Sequence, residues 1–198
     1  QGCDNRETAK RRLQYVAELT EKLDDYNVIL DRWIKMRHGE LNLHIERFSV
    51  RELFDIIAKS RNLFDSRGIA LEIRESDAVV KADKALTLFM INTLVDNAGK
   101  FTPQGGRVVL DAAECDGYVE IAVEDSGMGM AQSDIECILN NKVYDAAQIG
   151  DKSNGLSKNK GGGFGLMNCK GIIEKYRKAG SIFSVCQMFI TSSKGKGS

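Results

Sequence analysis

KGGGFGLMNCKGIIEKY, residues 160–176, places four glycines in the five positions 161–165 and runs straight into an apolar-periodic helix. Glycine loses the most backbone entropy on folding, so such a run marks a place where the chain bends sharply or lies close to another group. The first amides of a helix are unpaired and sit at the positive end of its dipole, a geometry that suits phosphate. Taken alone, the run reads equally well as a flexible loop leading into a helix. The twenty residues before it, NKVYDAAQIGDKSNGLSKNK (141–160), are polar and aperiodic. That is long for a connection inside a compact domain and points to a mobile functional loop, a lid.

Working outward from this point, alternating and helical periods succeed one another. IALEIRE (69–75) alternates like a half-buried strand, and DKALTLFMINTLVDNAGKF (83–101) is long and apolar enough for a core helix. RVVLDAAE (107–114) and YVEIAVED (118–125) form a hairpin whose Asp116-Gly117 pair favours a tight turn. AQSDIECILN (131–140) is a short helix, a further helix spans about 165–178, and IFSVCQMFIT is a candidate last strand. Upstream, Ser49 and Glu52 have capping-box spacing, with Val50, Leu53, Phe54 and Ile57 in helical period behind them. The sum is a mixed α/β domain.

The 28 basic and 28 acidic residues cancel, so no global charge directs the chain to nucleic acid or to an anionic membrane. No apolar run approaches the roughly 18 residues a spanning helix needs, and the opening QGCDNRETAK lacks the pattern of a signal peptide. Five cysteines, odd in number, widely spaced and without a CxxC pair, suggest neither a disulfide framework nor a zinc site and fit a reducing cytosol. The N-terminal third reads differently from the rest. Val16, Leu19, Leu23, Tyr26, Leu30 and Trp33 recur at a 3.5-residue period that suits a coiled coil or four-helix bundle. A single amphipathic helix lying on the domain's own core is the alternative. Gly39 supplies the C-cap.

Three motifs then stand in order: NTLVDNAGKFT (92–102), DSGMGM (125–130) and GGGFGLMN (161–168). Together with the lid between the second and third, they resemble the N, G1 and G2 boxes of the GHKL superfamily, and specifically the catalytic domain of sensor histidine kinases. The resemblance covers 48–198, with 1–47 resembling a second dimerisation helix and its linker. It implies a two-layer α+β sandwich of the Bergerat ATP-binding type, preceded by one long bundle helix. It also implies ATP and Mg²⁺ as ligands, with transfer of the γ-phosphoryl group to a histidine on a dimerisation helix.

Asn97 and Lys100 are three apart on one helix and share a face. The resemblance gives Asn97 to Mg²⁺ and Lys100 to phosphate, with Phe101 beside them. Without the other motifs, Asn97 is a helix-surface amide and Lys100 a partner for Asp96. Asp125 is an acceptor only, which suits the exocyclic amine of adenine and disfavours guanine; alone it is a plain Asp-Ser-Gly turn. Gly127 and Gly129 would let the backbone approach the ring, with Met128 and Met130 as walls. The resemblance assigns Gly161, Gly162, Gly163, Phe164, Gly165 and Leu166 to the triphosphate side, Lys160 (with Lys152 and Lys158) to the lid, and Ser198 to the adenine-water network. The absence of GK[ST] disfavours a P-loop.

The pattern departs from the family at three points. Hydrolases of the superfamily place a glutamate four residues before the metal-binding asparagine and kinases usually an asparagine; here position 93 is threonine, a poor base. The family's phenylalanine box before the lid is missing, with only Val143 and Tyr144 in its place. Neither His38 nor His44 resembles the phosphoacceptor box, so the acceptor is expected on a helix outside this chain. The expected partners are that His-bearing helix, a response-regulator receiver domain and a second copy in a homodimer, with no nucleic acid. The expected location is the cytoplasmic part of a membrane-bound bacterial receptor. An ATP-hydrolysing chaperone or topoisomerase-type module and a non-catalytic nucleotide-gated domain are the alternatives.

Overall fold

The computed structural model describes residues 43–140, 164–180, 183 and 186–193, together with Val16, Ala17, Thr20, Asn27 and Lys35. The chain divides into two compact units, Gln1–Asn42 and Leu43–Ser198. In the first, the five described residues are helical, and Thr20 Oγ1 donates back to the Val16 carbonyl at 2.9 Å. The rest of the heptad seam, Gly39 and His38 lie outside the described residues, as do 141–163 and Ser198.

The second unit opens with β1 (Glu46–Ser49), which runs antiparallel to β3 (Val79–Ala82) with Phe48 opposite Val80. Ser49 then caps α1 (Val50–Ala58) in the expected box, its own N–H donating to Glu52 Oε1 at 3.3 Å. Val50, Leu53, Phe54 and Ile57 fall at i, i+3, i+4 and i+7, and all four are buried. A short α2 (Arg61–Ser66) follows and presents Phe64 to the core. β2 (Ala70–Ile73) lies parallel to β4 (Arg107–Cys115), and β4 is antiparallel to β5 (Tyr118–Asp125) over eight paired residues from Val108↔Asp125 to Cys115↔Tyr118. The turn between them carries Gly117 at φ +83°, a conformation that glycine enters without strain.

Against β4 and β5 packs α3 (Lys84–Phe101), capped by Asp83, whose carboxylate accepts from Leu86 N–H. Its buried residues, among them Leu86, Phe89, Ile91, Val95 and Ala98, do not fall on a single stripe, which is why its sequence reads as uniformly apolar. The Phe64 ring of α2 lies on Gly99 of this helix: a Cβ there would stand 2.7 Å from it. Two further helices complete the helical layer, α4 (Gln132–Asn140) and α5 (Phe164–Ala179). Lys170 of α5 donates to the Leu139 carbonyl at 2.6 Å, supplying a cation to the C-terminal end of α4. No helix among the described residues is long and apolar enough to cross a membrane.

One sequence expectation is corrected. Residues 186–190 form no strand. Successive turn bonds, Phe183 N–H to Gly180 carbonyl at 3.1 Å and Cys186 N–H to Phe183 carbonyl at 3.0 Å, curl the chain at the start of the segment, and Phe189 is 80% exposed. Cys186, Met188 and Ile190 are half-buried in alternation with exposed Gln187 and Phe189, so the apolar residues have a preferred face although no ladder forms. Conversely, β1, α2 and β3 add to the expected elements: ERFS and VVKA do not alternate, and the six residues of α2 are too few for a helical period.

Candidate functional site

The C-terminal half of α3 carries the first motif. Asn97 is half-buried and Lys100 exposed, with the Lys100 ammonium 5.1 Å from the centroid of the Phe101 ring. The helix ends at Phe101, and the carbonyl of that residue becomes an anchor for the second motif. Asp125 closes β5, and its Oδ1 accepts from the Gly127 N–H at 2.7 Å, so the carboxylate folds the chain into a turn as the strand stops. Met128 N–H donates to the Phe101 carbonyl at 3.4 Å. Gly127 is squeezed into this junction: a Cβ would come within 2.6 Å of both Asp125 Oδ1 and the Phe101 carbonyl oxygen. Ser126 adds a second brace, its hydroxyl accepting from Arg107 N–H at 2.9 Å and its own N–H donating to the Arg107 carbonyl at 3.0 Å.

The same loop is held from its other side by a segment that sequence reasoning did not assign to the site. Met130 N–H donates to Ser192 Oγ at 2.8 Å, and Gly129, at φ +67°, lies against the Ser193 carbonyl too closely for any Cβ. The signal was present as the hydroxyl run Thr191-Ser192-Ser193, but nothing in its spacing linked it to residues sixty positions earlier. Met130 is half-buried, whereas Met128 is 63% exposed.

The third motif arrives through α5. A Cβ on Gly165 would stand 2.7 Å from Thr93 Cγ2 and 3.7 Å from Asn97 Nδ2, so the first turn of α5 rests directly on the Asn97 face of α3. Thr93 is only 8% exposed. The position that departs from the family pattern is thus a packing residue, its methyl turned to the glycine. One turn further on, the Cys169 thiol donates to the Met90 carbonyl at 3.9 Å. Burial pushes this thiol up to about 12, outweighing a hydrogen bond with Thr93 that lowers it. A protonated, enclosed thiol is a poor nucleophile. In the folded chain at pH 8, Cys169 should therefore resist alkylation while the half-exposed Cys115 is modified; mass mapping that finds Cys169 labelled as fast as Cys115 would contradict this packing.

The structure thus brings Asn97, Thr93 and Gly165 together at one end, and Phe101, Asp125, Gly127, Gly129 and Met130 at the other, with the last turn of α3 common to both. Leu166 is half-buried in the first turn of α5. Lys160, Gly161, Gly162 and Gly163 lie outside the described residues, and Phe164 is placed only as the first residue of α5. Among the described residues, no three His, Cys, Asp or Glu side chains are grouped to hold a metal.

Residues 82–198 match the family described as histidine kinase-, DNA gyrase B-, and HSP90-like ATPase. The chain belongs to this family. Its curated relatives include histidine protein kinase DivJ of Caulobacter vibrioides, 33% identical over 58% of this chain and 19% of that protein. Sensor protein GacS of Pseudomonas syringae pv. syringae is 28% identical over 85% of this chain and 19% of its own length. The methyl sulfide methyltransferase-associated sensor of Methanosarcina acetivorans is 29% identical over 66% of the chain and 13% of its own length. The chain therefore spans less than a fifth of the length of these relatives. Among solved structures, the histidine kinase AdeS of Acinetobacter baumannii superposes with a TM-score of 0.55 at 18% identity, covering 83% of this chain and 71% of that one. The catalytic domain of histidine kinase ThkA gives 0.53 at 22% identity, covering 66% and 80%. These likenesses confirm the expected α+β fold. Within this domain, the loop after β5 and the first turn of α5 both converge on the C-terminal half of α3.

Proposed function

We propose that this chain is the ATP-binding catalytic domain of a two-component sensor histidine kinase, and that it passes the γ-phosphoryl group of ATP to a histidine on a dimerisation helix. The observation that carries the reading is the meeting of three motifs far apart in sequence: Gly165 rests on Thr93 and Asn97, while the Asp125 loop is anchored on the Phe101 carbonyl. Relatives named as sensors and histidine kinases support it, as does a fold likeness to full-length ShkA in complex with AMPPNP, with a TM-score of 0.54 at 21% identity.

In this reading Asp125 selects adenine. One carboxylate oxygen is engaged by Gly127 N–H, and a carboxylate has a second that accepts from the exocyclic amine. Lys100 and the amides at the start of α5 stabilise the triphosphate. The residues present suit a magnesium ion: a single neutral amide at Asn97, beside Gly165 and with no cluster of carboxylates or imidazoles among the described residues, fits a hard ion that keeps waters and shares phosphate oxygens. When bound, such an ion neutralises phosphate charge. In the transfer the P–O bond to ADP breaks as a P–N bond to the imidazole forms, and the imidazole releases its proton; the protein contributes positioning and charge.

Thr93 favours transfer over hydrolysis. A buried threonine whose methyl packs on Gly165 offers no base for water. Mg-ATP should therefore bind in calorimetry with negligible steady release of phosphate when no acceptor is supplied. Vigorous turnover by the chain alone would overturn the kinase reading in favour of an ATP-hydrolysing module. Residues 1–47 are then the second dimerisation helix and linker, 48–198 the catalytic domain and 141–160 its lid. The intact protein is a homodimer at the cytoplasmic side of a membrane receptor, and a response-regulator receiver domain takes up its phosphoryl group.

A further inference from the structure

Three contacts fix how α3 and α5 lie against each other. Asp83 meets Tyr176, Met90 meets Cys169, and Thr93 with Asn97 meets Gly165, so the helices run antiparallel with the nucleotide side at one end. At a rise of about 1.5 Å per residue, the Asp83–Tyr176 contact lies roughly 16–21 Å from that side along either helix. It is nonetheless a densely bonded junction. Asp83 is 1% exposed and Tyr176 2%. The tyrosine hydroxyl accepts from Asp83 N–H at 2.8 Å and faces the Asp83 carbonyl at 3.4 Å, which also takes the Thr87 hydroxyl at 2.9 Å. The side chain is equally engaged: Oδ1 accepts from Leu86 N–H at 3.2 Å, and Oδ2 from His44 N–H at 3.0 Å.

The last of these bonds has no role in capping α3. His44 precedes β1, its side chain is exposed, and the group it contributes is its backbone amide. One buried carboxylate therefore holds both the helix that carries Asn97 and the segment through which residues 1–42 connect to the domain. Leaving such a group with an unmade hydrogen bond is costly, so the arrangement is sensitive to the position of that segment. Burial also holds the Tyr176 hydroxyl in its protonated form, well above its ordinary range, so it remains able to donate.

We propose that Asp83 and Tyr176 are positioning residues that set the register of α5 on α3, and that the His44 amide couples this register to the entering chain, so that displacement of residue 44 is felt at Gly165 and Asn97. The functional consequence rests on the nucleotide site read above, whereas the mechanical coupling does not, and the two are tested separately.

The test uses the full 198-residue chain. His44→Pro deletes the amide donor, since proline has no N–H; His44→Ala removes only the exposed side chain. Amide hydrogen exchange should quicken in the first turns of α5, residues 165–170, by about tenfold in His44→Pro and remain at wild-type rates in His44→Ala, with β4 and β5 unchanged in both. Tyr176→Phe, which keeps the ring packed 5.2 Å from that of Phe183 and loses only the hydroxyl, should reproduce the effect and serves if the proline variant does not fold. Equal exchange at 165–170 in the proline and alanine variants, or an acceleration spread uniformly through β4 and β5, overturns the coupling. ATP affinity, measured alongside, should fall severalfold in His44→Pro and Tyr176→Phe only; an affinity unchanged while exchange quickens removes the register from nucleotide positioning and overturns that part. A wild-type chain that binds no ATP would count against the proposed function and leave the exchange comparison decisive for the coupling.

Discussion

Asp125→Asn should lower the affinity for ATP by roughly ten- to a hundredfold while leaving the fold intact. The structure makes this substitution unusually clean. Asp125 Oδ1 accepts from Gly127 N–H at 2.7 Å, and an asparagine retains an oxygen that can keep that bond and hence the turn. The amide nitrogen then occupies the place of the second carboxylate oxygen, and a donor faces the donor of the adenine amine. A buried polar pair that repels instead of bonding costs about 1–3 kcal/mol, and each 1.4 kcal/mol is a factor of about ten in affinity. Guanine carries an acceptor where adenine carries its amine, so the same change should narrow the preference for ATP over GTP. Calorimetry with both nucleotides on a variant of unchanged circular dichroism decides the matter. Wild-type affinity for ATP in that variant would remove Asp125 from the site.

The legible parts of this domain were those in which a local rule and the tertiary structure agree. Ser49 and Glu52 announce α1 because the capping box is completed within four residues and needs no distant partner. The β4–β5 hairpin is equally local, set by alternation and by Asp116-Gly117. By contrast, β1 and β3 pair with each other across some thirty residues, and neither ERFS nor VVKA alternates apolar with polar residues as the equally short β2 does. The candidate last strand failed for the opposite reason: its residues alternate between half-buried and exposed, Phe189 at 80%, without a neighbouring strand among the described residues to pair with at 186–190. Among the candidate site residues, Asn97, Asp125, Gly127, Gly129 and Gly165 could be named from sequence because each lies in a motif with restricted spacing. Ser192 was not, since a hydroxyl that accepts one backbone bond has no sequence neighbours that demand it. Thr93 was noticed as a departure, yet its meaning emerged only with Gly165 beside it: the residue that lacks a base also supplies the methyl on which α5 rests.

That packing yields the second large effect, in Gly165→Ala. Two terms oppose each other. Within a helix, alanine is favoured over glycine by about 1 kcal/mol. Against this, the new Cβ would sit 2.7 Å from Thr93 Cγ2, and overpacking in a closed region costs about 1–3 kcal/mol. Thr93 is β-branched and 8% exposed, so its methyl has little room to turn away, and the steric term wins. Relief comes most easily by lifting the first turn of α5, which is also the end that approaches Asn97, whose Nδ2 would be 3.7 Å from the added carbon. Affinity for ATP should accordingly fall about tenfold, more than the small net loss of stability implies. Thr93→Ser removes the offending methyl and retains the hydroxyl that bonds Cys169; alone it should change binding little, and combined with Gly165→Ala it should restore most of the lost affinity. A double-mutant cycle measures this as a coupling of about 1 kcal/mol or more, as expected for side chains in contact. If the double variant binds as weakly as Gly165→Ala alone, the glycine is required because the backbone itself approaches the nucleotide at that position, and the Thr93 contact plays no part in holding the site.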